Sequence, residues 1–325
     1  MLNLEKLKGR IFMNIEFLEM IATAKSRERR KMTVACPHQS AVISAAIKAH
    51  REGLVEPIFI GDKEKINRIA EEDNMDLSDF RVIHIEDDQT SCDLAIEMTA
   101  KGEADFAMKG LIDTSVILKS YLKPEYEMRG EALISHVAVF NPQNYGKMIF
   151  VTDASMNITP NLDQKRQIID NSVKFARTLG VIKPKVAVLA AIEKVNPKMI
   201  ETVEAYELQK MNERGIIKNS IVCGPLALDN AISVDAARIK SIDNPVAGYA
   251  DILMVPNIEI GNILYKALAF SFPGGHAGVI VGGKRPIVLT SRSDGESAKF
   301  NSIALAKYLM DQEEISIVDT VIQTA

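Results

Sequence analysis

The sequence predicts an α/β protein whose parallel sheet carries helices on both faces, in two domains packed around a cleft. Three observations predict this. Short runs rich in Val, Ile and Ala alternate with helical stretches from Met32 onward, the rhythm of βαβ units. These runs are continuously apolar instead of alternating with polar residues, as in strands buried on both faces. The chain has 325 residues, which suits two domains of about 150 residues each, and no low-complexity linker separates them.

The elements follow in order. Leu4, Leu7, Ile11, Ile15, Leu18 and Ile21 recur at spacings of three and four, which predicts an amphipathic helix. The basic run from Lys25 to Lys31 follows. It reads as a docking patch for an anionic ligand or, as charge runs usually do, as solvated cations favoured at a helix end. Thr33–Cys36 predicts a strand and Ser40–Glu52 a helix closed by Gly53. Strand Pro57–Gly61 leads to helix Lys63–Glu72, strand Arg81–Ile85 to helix Ser91–Lys101, and strand Ala104–Met108 to helix Thr114–Leu122. A second series opens with strands Val137–Phe140 and Met148–Val151. Asn161 stands three residues before Gln164, a capping-box pattern, and the helix runs to Leu179 before Gly180. Strand Val186–Ala190, helix Pro197–Glu213, strands Ser220–Cys223 and Ile252–Val255 and helix Gly261–Phe270 continue it. Strands Val279–Val281 and Ile287–Leu289 precede a final helix, Glu296–Met310.

Composition narrows the function. The formal net charge is −4, so no global basic field attracts nucleic acid, and the absence of Trp argues against stacking platforms for single strands. Three cysteines, 36, 92 and 223, lie too far apart for a disulfide framework or a thiolate zinc site. No apolar run approaches the roughly 18 residues of a membrane span. Glu5, Glu16 and Glu19 interrupt the N-terminus, which does not read as a signal peptide. A cytoplasmic protein is expected.

Ligands of open parallel sheets sit beyond the carboxyl ends of the strands, and those ends are polar here. Strand Ala104–Met108 ends in Lys109-Gly110, and Met148–Val151 in Thr152-Asp153 with Asn157 beyond. Strand Ile252–Val255 runs into Pro256-Asn257-Ile258-Glu259-Ile260-Gly261-Asn262, and Ile287–Leu289 into Thr290-Ser291-Arg292-Ser293-Asp294. Together they suggest a site for an anionic ligand rich in hydrogen-bonding groups. Lys109-Gly110 sets an ammonium beside a residue that lets backbone N–H groups approach a phosphate. Its alternative is a lysine reaching water from a strand end. The stretch from Asn257 to Asn262 is equally well explained as a helix cap. In the 291–294 cluster, Arg292 offers a fixed fork of donors that matches phosphate, and Asp294 accepts a proton. Equally, Asp294 is a helix cap and Arg292 a structural salt-bridge partner. His136 and His276 lack metal-ligand spacing and read as structural, and no Walker A motif occurs.

At these residues the sequence resembles the phosphate acetyl/butyryltransferases, the butyryl branch most nearly. The matching stretches are Met108–Leu111, Ser135–Phe140, Thr152–Asn157, Asn196–Met199, Gly224–Asp229, Pro256–Asn262 with Tyr265-Lys266, and Val288–Asp294. They lie in family order over roughly residues 90–310. The resemblance implies two α/β domains flanking a cleft, in the manner of isocitrate and isopropylmalate dehydrogenases. Residues 1–141 plus 283–325 would form the first domain and 142–282 the second. It implies a homodimer or higher homo-oligomer, and the reversible reaction of acyl-CoA with phosphate to acyl phosphate and CoA. Thiolate attack would be direct, within a ternary complex. Coenzyme A is then a substrate, and no permanent cofactor or metal is expected. Ser291, Arg292 and Asp294 would be catalytic. Lys109, Gly110, Ser135, His136, Asp153, Asn157, Asn257, Glu259, Gly261, Asn262 and Lys266 would bind substrate. The acetyl branch uses an aspartate several residues beyond its Ser-Arg pair, where this chain has Ser297-Ala298. Asp294 is therefore the first candidate base, Glu296 the second and solvent the third. Other readings are a non-catalytic sensor of acyl-CoA or acyl phosphate, distinguished by CoA binding without turnover, and an NAD-dependent decarboxylating dehydrogenase, distinguished by NADH absorbance.

Overall fold

The computed structural model describes residues 20–25, 27–130, 132–142, 145–271 and 275–324. Residues 20–25 are helical, and the rest of the helix expected from Leu4 lies outside the described residues. The elements are β1 Arg30–Ala35, α1 Ser40–Arg51, β2 Val55–Gly61, α2 Lys63–Glu72, β3 Arg81–His84, α3 Asp88–Ala100, β4 Phe106–Lys109 and α4 Thr114–Tyr121. There follow β5 Ser135–Phe140, β6 Ile149–Thr152, α5 Leu162–Thr178, β7 Lys185–Leu189, α6 Ile200–Glu213, β8 Ile221–Leu226, α7 Leu228–Ile232 and α8 Val234–Ile239. The last are β9 Ile252–Met254, α9 Ile258–Ser271, β10 His276–Val281, β11 Ile287–Val288 and α10 Glu296–Thr324.

Local chemistry accounts for most boundaries. Asp62 caps α2 by accepting the N–H groups of Glu64 and Lys65 at 3.0 and 3.2 Å, and Asp87 accepts that of Thr90 at 2.7 Å to open α3. The capping box of α5 is formed: Asn161 accepts the Gln164 N–H and Gln164 that of Asn161, both at 2.9 Å. Helix α6 begins later than Pro197 because the Asn196 side chain folds the chain into a turn, accepting the Lys198 N–H at 3.0 Å. Helix α9 begins earlier than Gly261 because Asn257 accepts the Ile260 N–H at 3.1 Å. Helices α7 and α8 are too short to show a helical period in sequence.

The described residues pack as two compact units, Leu133–His276 and the combination of 20–132 with 277–324. In the latter the strands run in the order β3-β2-β1-β4-β11-β10, and β4 lies parallel to both β1 and β11. In the former the order is β5-β6-β9-β7-β8. The sheets are not wholly parallel: β5 pairs antiparallel with β6, and β10 with β11. Each of these pairs is joined by a connection too short for the crossover that parallel neighbours require. The β5–β6 pairing also groups β5 with the unit that starts at Leu133, ahead of the boundary expected at residue 142. Strands β4, β5, β6 and β9 are buried at every residue, which explains their unbroken apolar sequence.

Within Leu133–His276 the faces of the sheet are distinct. Leu189, Leu253 and Val255 share a core with Tyr265, Leu264 and Leu268 of α9. Val188, one residue from Leu189, turns the other way: a Cβ on Gly224 would meet both its Cβ and that of Ala205 on α6, at 2.8 and 3.0 Å. Helices α6 and α9 therefore cover opposite faces.

Candidate functional site

The parallel pairing of β1, β4 and β11 brings three carboxyl ends side by side. Cys36 follows β1, Lys109-Gly110 closes β4, and Leu289–Asp294 follows β11. Lys109 is 3% exposed, and its ammonium donates to the carbonyls of Ile112 at 2.9 Å and Gly110 at 3.2 Å. Burial, followed by the fields of Lys299 and Arg292, pulls its pKa down to about 8, while Asp113 opposes the shift. Gly110 is required here sterically: an added Cβ would lie 2.2 Å from the carbonyl oxygen of Cys36 and 2.5 Å from that of Ala35.

The loop from Ser291 to Asp294 is tied to itself. Asp294 accepts the Ser291 N–H at 2.7 Å, and the Asp294 N–H returns to the Ser291 carbonyl at 3.1 Å. The Ser291 and Ser293 hydroxyls lie 2.9 Å apart. Lys299, buried in the first turns of α10, donates to the carbonyls of Ser291 (3.2 Å) and Asp294. Burial lowers its pKa. Arg292 faces solvent, pairs with Asp113 at 3.2 Å, and accepts a hydrogen bond from Gln39 on its backbone carbonyl at 2.9 Å. Glu296 pairs with Lys48 at 3.1 Å. Three cations, Lys109, Arg292 and Lys299, thus stand with the carboxylates of Asp113 and Asp294 beside the N-terminus of a long helix, an arrangement whose cations and helix end can attract an anion. Lys299, Gln39 and Asp113 were not picked out in sequence, because nothing in their local pattern marks them; only folding brings them to the loop.

The remaining candidates assemble within Leu133–His276. Asp153, 2% exposed, accepts the N–H groups of Ser155 and Met156 at 3.0 Å and of Asn157 at 3.2 Å, as well as the Asn157 side-chain amide. Burial pushes its carboxyl pKa up, and these hydrogen bonds oppose the rise. The Asn157 amide also donates to the Ile134 carbonyl at 3.0 Å, and Thr152 donates to that of His136 at 2.9 Å. Asn171 donates to the Ser135 hydroxyl at 3.0 Å, and the His136 ring meets the edge of Tyr265 at 6.0 Å. Thr152, Asp153 and Asn157 therefore fasten the end of β6 and the turn after it to the start of β5 at Ile134 and His136, while Asn171 of α5 holds Ser135. On α9, Gly261 permits close approach, since a Cβ there would lie 2.5 Å from the Asp153 carbonyl oxygen. Asn257 is half-buried as the cap, and Glu259, Asn262 and Lys266 face solvent. The sequence-predicted residues thus form two groups, one in each unit.

Among the described residues no cluster of three His, Cys, Asp or Glu side chains offers a metal site, and no helix is long and apolar enough to cross a membrane.

The family model described as "Phosphate acetyl/butaryl transferase" matches residues 89–307. The phosphate butyryltransferase of Clostridium acetobutylicum is 42% identical over 290 residues, covering 89% of this chain and 96% of that protein. The phosphate acetyltransferase of Thermotoga maritima is 44% identical over 290 residues, covering 89% and 98%. The crystal structure of a branched-chain phosphotransacylase from Enterococcus faecalis V583 superposes with a TM-score of 0.75 at 34% identity, covering 86% of this chain and 99% of that one. A putative 4-hydroxythreonine-4-phosphate dehydrogenase from Salmonella typhimurium, at a TM-score of 0.52 and 14% identity over 86% and 99%, shares the fold alone, which is the dehydrogenase-like architecture the sequence led one to expect. By family model, relatives and fold together, the chain belongs to the phosphate acetyl/butyryltransferase family.

Proposed function

We propose that the protein catalyses the reversible reaction of acyl-CoA with phosphate to give acyl phosphate and CoA. The observation that carries this reading, in a chain of this family, is the hold of Lys299 on the Ser291 carbonyl beside Arg292, with the buried Lys109 ammonium in the field of both cations. In one direction a phosphate oxygen attacks the thioester carbonyl, the C–S bond breaks, and CoA leaves as the thiolate and takes up a proton. In the other, the thiolate attacks acyl phosphate and the C–O bond to phosphate breaks. The Arg292 fork holds phosphoryl oxygens, and the Lys109 field offsets their charge. Ser291 donates to the developing oxyanion or orients the thiol. Coenzyme A enters as a substrate, the protein acts in the cytoplasm, and its working form is a homodimer; a light-scattering mass of a single 35.8 kDa chain would sink that last point. The test is phosphate-dependent release of CoA, by thiol detection, from acetyl-, propionyl-, butyryl- and isobutyryl-CoA. No release from any of them overturns the reading. Overall identity to the acetyl- and butyryltransferase relatives is nearly equal, at 44% and 42%; the resemblance of Met108-Lys109-Gly110 and Ser135-His136 to the butyryl branch leads us to expect higher kcat/KM for C3–C5 acyl groups than for acetyl, and the reverse order would refute that preference.

Asp294 acts on the geometry of the loop, because its carboxylate already accepts the Ser291 N–H. Asp294→Asn, which keeps an acceptor oxygen, should retain activity within about tenfold and the pH profile of the parent; a general base would lose about 10²–10⁴-fold on the same change. Asp294→Ala removes the acceptor and should lower kcat about a hundredfold by misplacing the loop. Equal, large losses in both variants at unchanged Tm would make Asp294 the base instead.

Lys109 predicts a pH dependence. Its folded pKa of about 8 lies below the ordinary lysine value, so between the two pH values the unfolded chain binds more protons than the folded one. The contribution of this group to stability therefore rises with pH across that window, while its cationic field is lost. Saturation by phosphate should weaken above pH 8 with no fall in Tm traceable to Lys109, and Lys109→Met should remove the dependence. A phosphate KM that stays flat from pH 7 to 9 refutes the assignment.

A further inference from the structure

Helix α9 has two contrasting faces. Gly261 and Tyr265 are buried against its own sheet, and Leu264 and Leu268 pack beside them. Turned away from Tyr265 stand Ile260, Ile263, Ala267 and Phe270, at steps of three, four and three residues that share one side of a helix. Ile260, Ile263 and Phe270 are 45%, 66% and 77% exposed, and Ala267 is exposed with them. No charged residue interrupts this stripe; Glu259, Asn262 and Lys266 line one flank of it.

The stripe continues off the helix. Ile260, Ile263 and Ala267 border a cavity of about 450 Å³ whose lining also includes Met199 and Leu228. Leu228 is 38% exposed, and Ile200, next to Met199 at the start of α6, is 58% exposed. Ile200, Leu228, Ile260, Ile263 and Phe270 together expose on the order of 600 Å² of apolar surface, the upper end of what one patch of a monomer carries. A stable dimer takes roughly 800 Å² from each partner, with somewhat more than half of it apolar, so this patch alone supplies the apolar core of such an interface. The polar flank of Glu259, Asn262 and Lys266 suits its rim.

We propose that this face binds a second copy of the chain, with the two α9 helices packed antiparallel about a two-fold axis. The spacing of Ile260, Ile263, Ala267 and Phe270 reads the same from either end, so its midpoint can lie on such an axis. Ile263 then meets the copy's Ala267, large against small, and Ile260 meets the copy's Phe270, in the manner of knobs and holes. The inference gives the homodimer proposed above its surface and is independent of the reaction.

The test is the mass of the full chain by light scattering, on the parent and on Ile263→Lys and Phe270→Glu, with circular dichroism and CoA release on the same samples. Both positions are more than half exposed, and each substitution adds a good helix former one turn after an opposite charge, Glu259 or Lys266, so the fold of the single chain is kept. In a two-fold interface each change enters twice and buries two unpaired charges. The parent should have twice the 35.8 kDa mass of the chain, and each variant should dissociate at a concentration at least about a hundredfold higher. Ile263→Cys adds a thiol to a chain whose three cysteines are buried, and its labelling by a maleimide should be slow in the dimer and rise on dilution.

Variants that keep the dimer mass overturn this surface and leave the homodimer standing. A parent of single-chain mass overturns both. In that case a thiol that labels slowly is covered by the chain itself, and one that labels fast leaves the face open to a different partner. Parent dimers that release no CoA from any acyl-CoA overturn the reaction alone.

Discussion

Arg292→Ala should lower kcat/KM for phosphate-dependent CoA release by about a hundredfold, and Arg292→Lys by at least about tenfold. A guanidinium binds two phosphate oxygens at once, whereas an ammonium offers one mobile charge, and a charge-assisted hydrogen bond contributes about 1.5–3 kcal/mol. The phosphate KM should rise more than the CoA KM in the reverse direction. Stability should barely move. The Arg292 side chain is 61% exposed and its Asp113 partner 66%, a class of ion pair that contributes about 0–1 kcal/mol. The hydrogen bond from Gln39 goes to the Arg292 backbone and survives either substitution. A variant that unfolds, or whose folded fraction turns over normally, would show that Arg292 is a structural strut and that phosphate must be held elsewhere.

Gly110→Ala should damage both stability and activity. The added Cβ would sit far inside contact distance of two carbonyl oxygens, Cys36 O at 2.2 Å and Ala35 O at 2.5 Å, and neither belongs to a side chain that can swing away. The Gly110 and Leu111 N–H groups also donate to those same carbonyls, at 2.8 and 2.9 Å, so relief of the clash breaks hydrogen bonds between the ends of β1 and β4. Overpacking of this kind costs about 1–3 kcal/mol, which corresponds to a Tm lower by roughly 5 °C. Because Lys109 holds the Gly110 and Ile112 carbonyls, the same displacement moves the ammonium, and phosphate-dependent turnover should fall at least about tenfold. A variant with the parent Tm and kcat/KM would mean that the two strand ends separate freely.

These effects separate what is local in the chain from what is not. The helix start at Asn161 was legible because a cap acts over two or three residues, and the buried strands because burial on both faces leaves no polar alternation. The polar strand ends were legible because parallel neighbours within each unit, β4 with β11 and β6 with β9, bring their carboxyl ends to the same edge of their sheet. The antiparallel pairings of β5 with β6 and β10 with β11 were not, since an apolar run carries no sign of its direction. Asp294 shows the limit most sharply. Its sequence position suits a proton acceptor or a cap equally, and its 2.7 Å contact with the Ser291 N–H becomes visible only in the folded loop.

The sequence by itself indicated that the chain is α/β and that Lys109, Gly110, Ser291, Arg292 and Asp294 close or follow its strands, while some strand ends differ from expectation, as at β8, which runs on from Cys223 to Leu226. The tertiary structure alone decided which of the ends become neighbours. Strand order is set by packing between segments far apart in the chain, so the approach of Lys299 to Lys109, and of Gln39 to the Arg292 carbonyl, leaves no trace in local pattern. The electrostatics around Lys109 depend on that packing too: an ordinary lysine acquires a pKa of about 8 only after the fold has removed its water and set two further cations beside it.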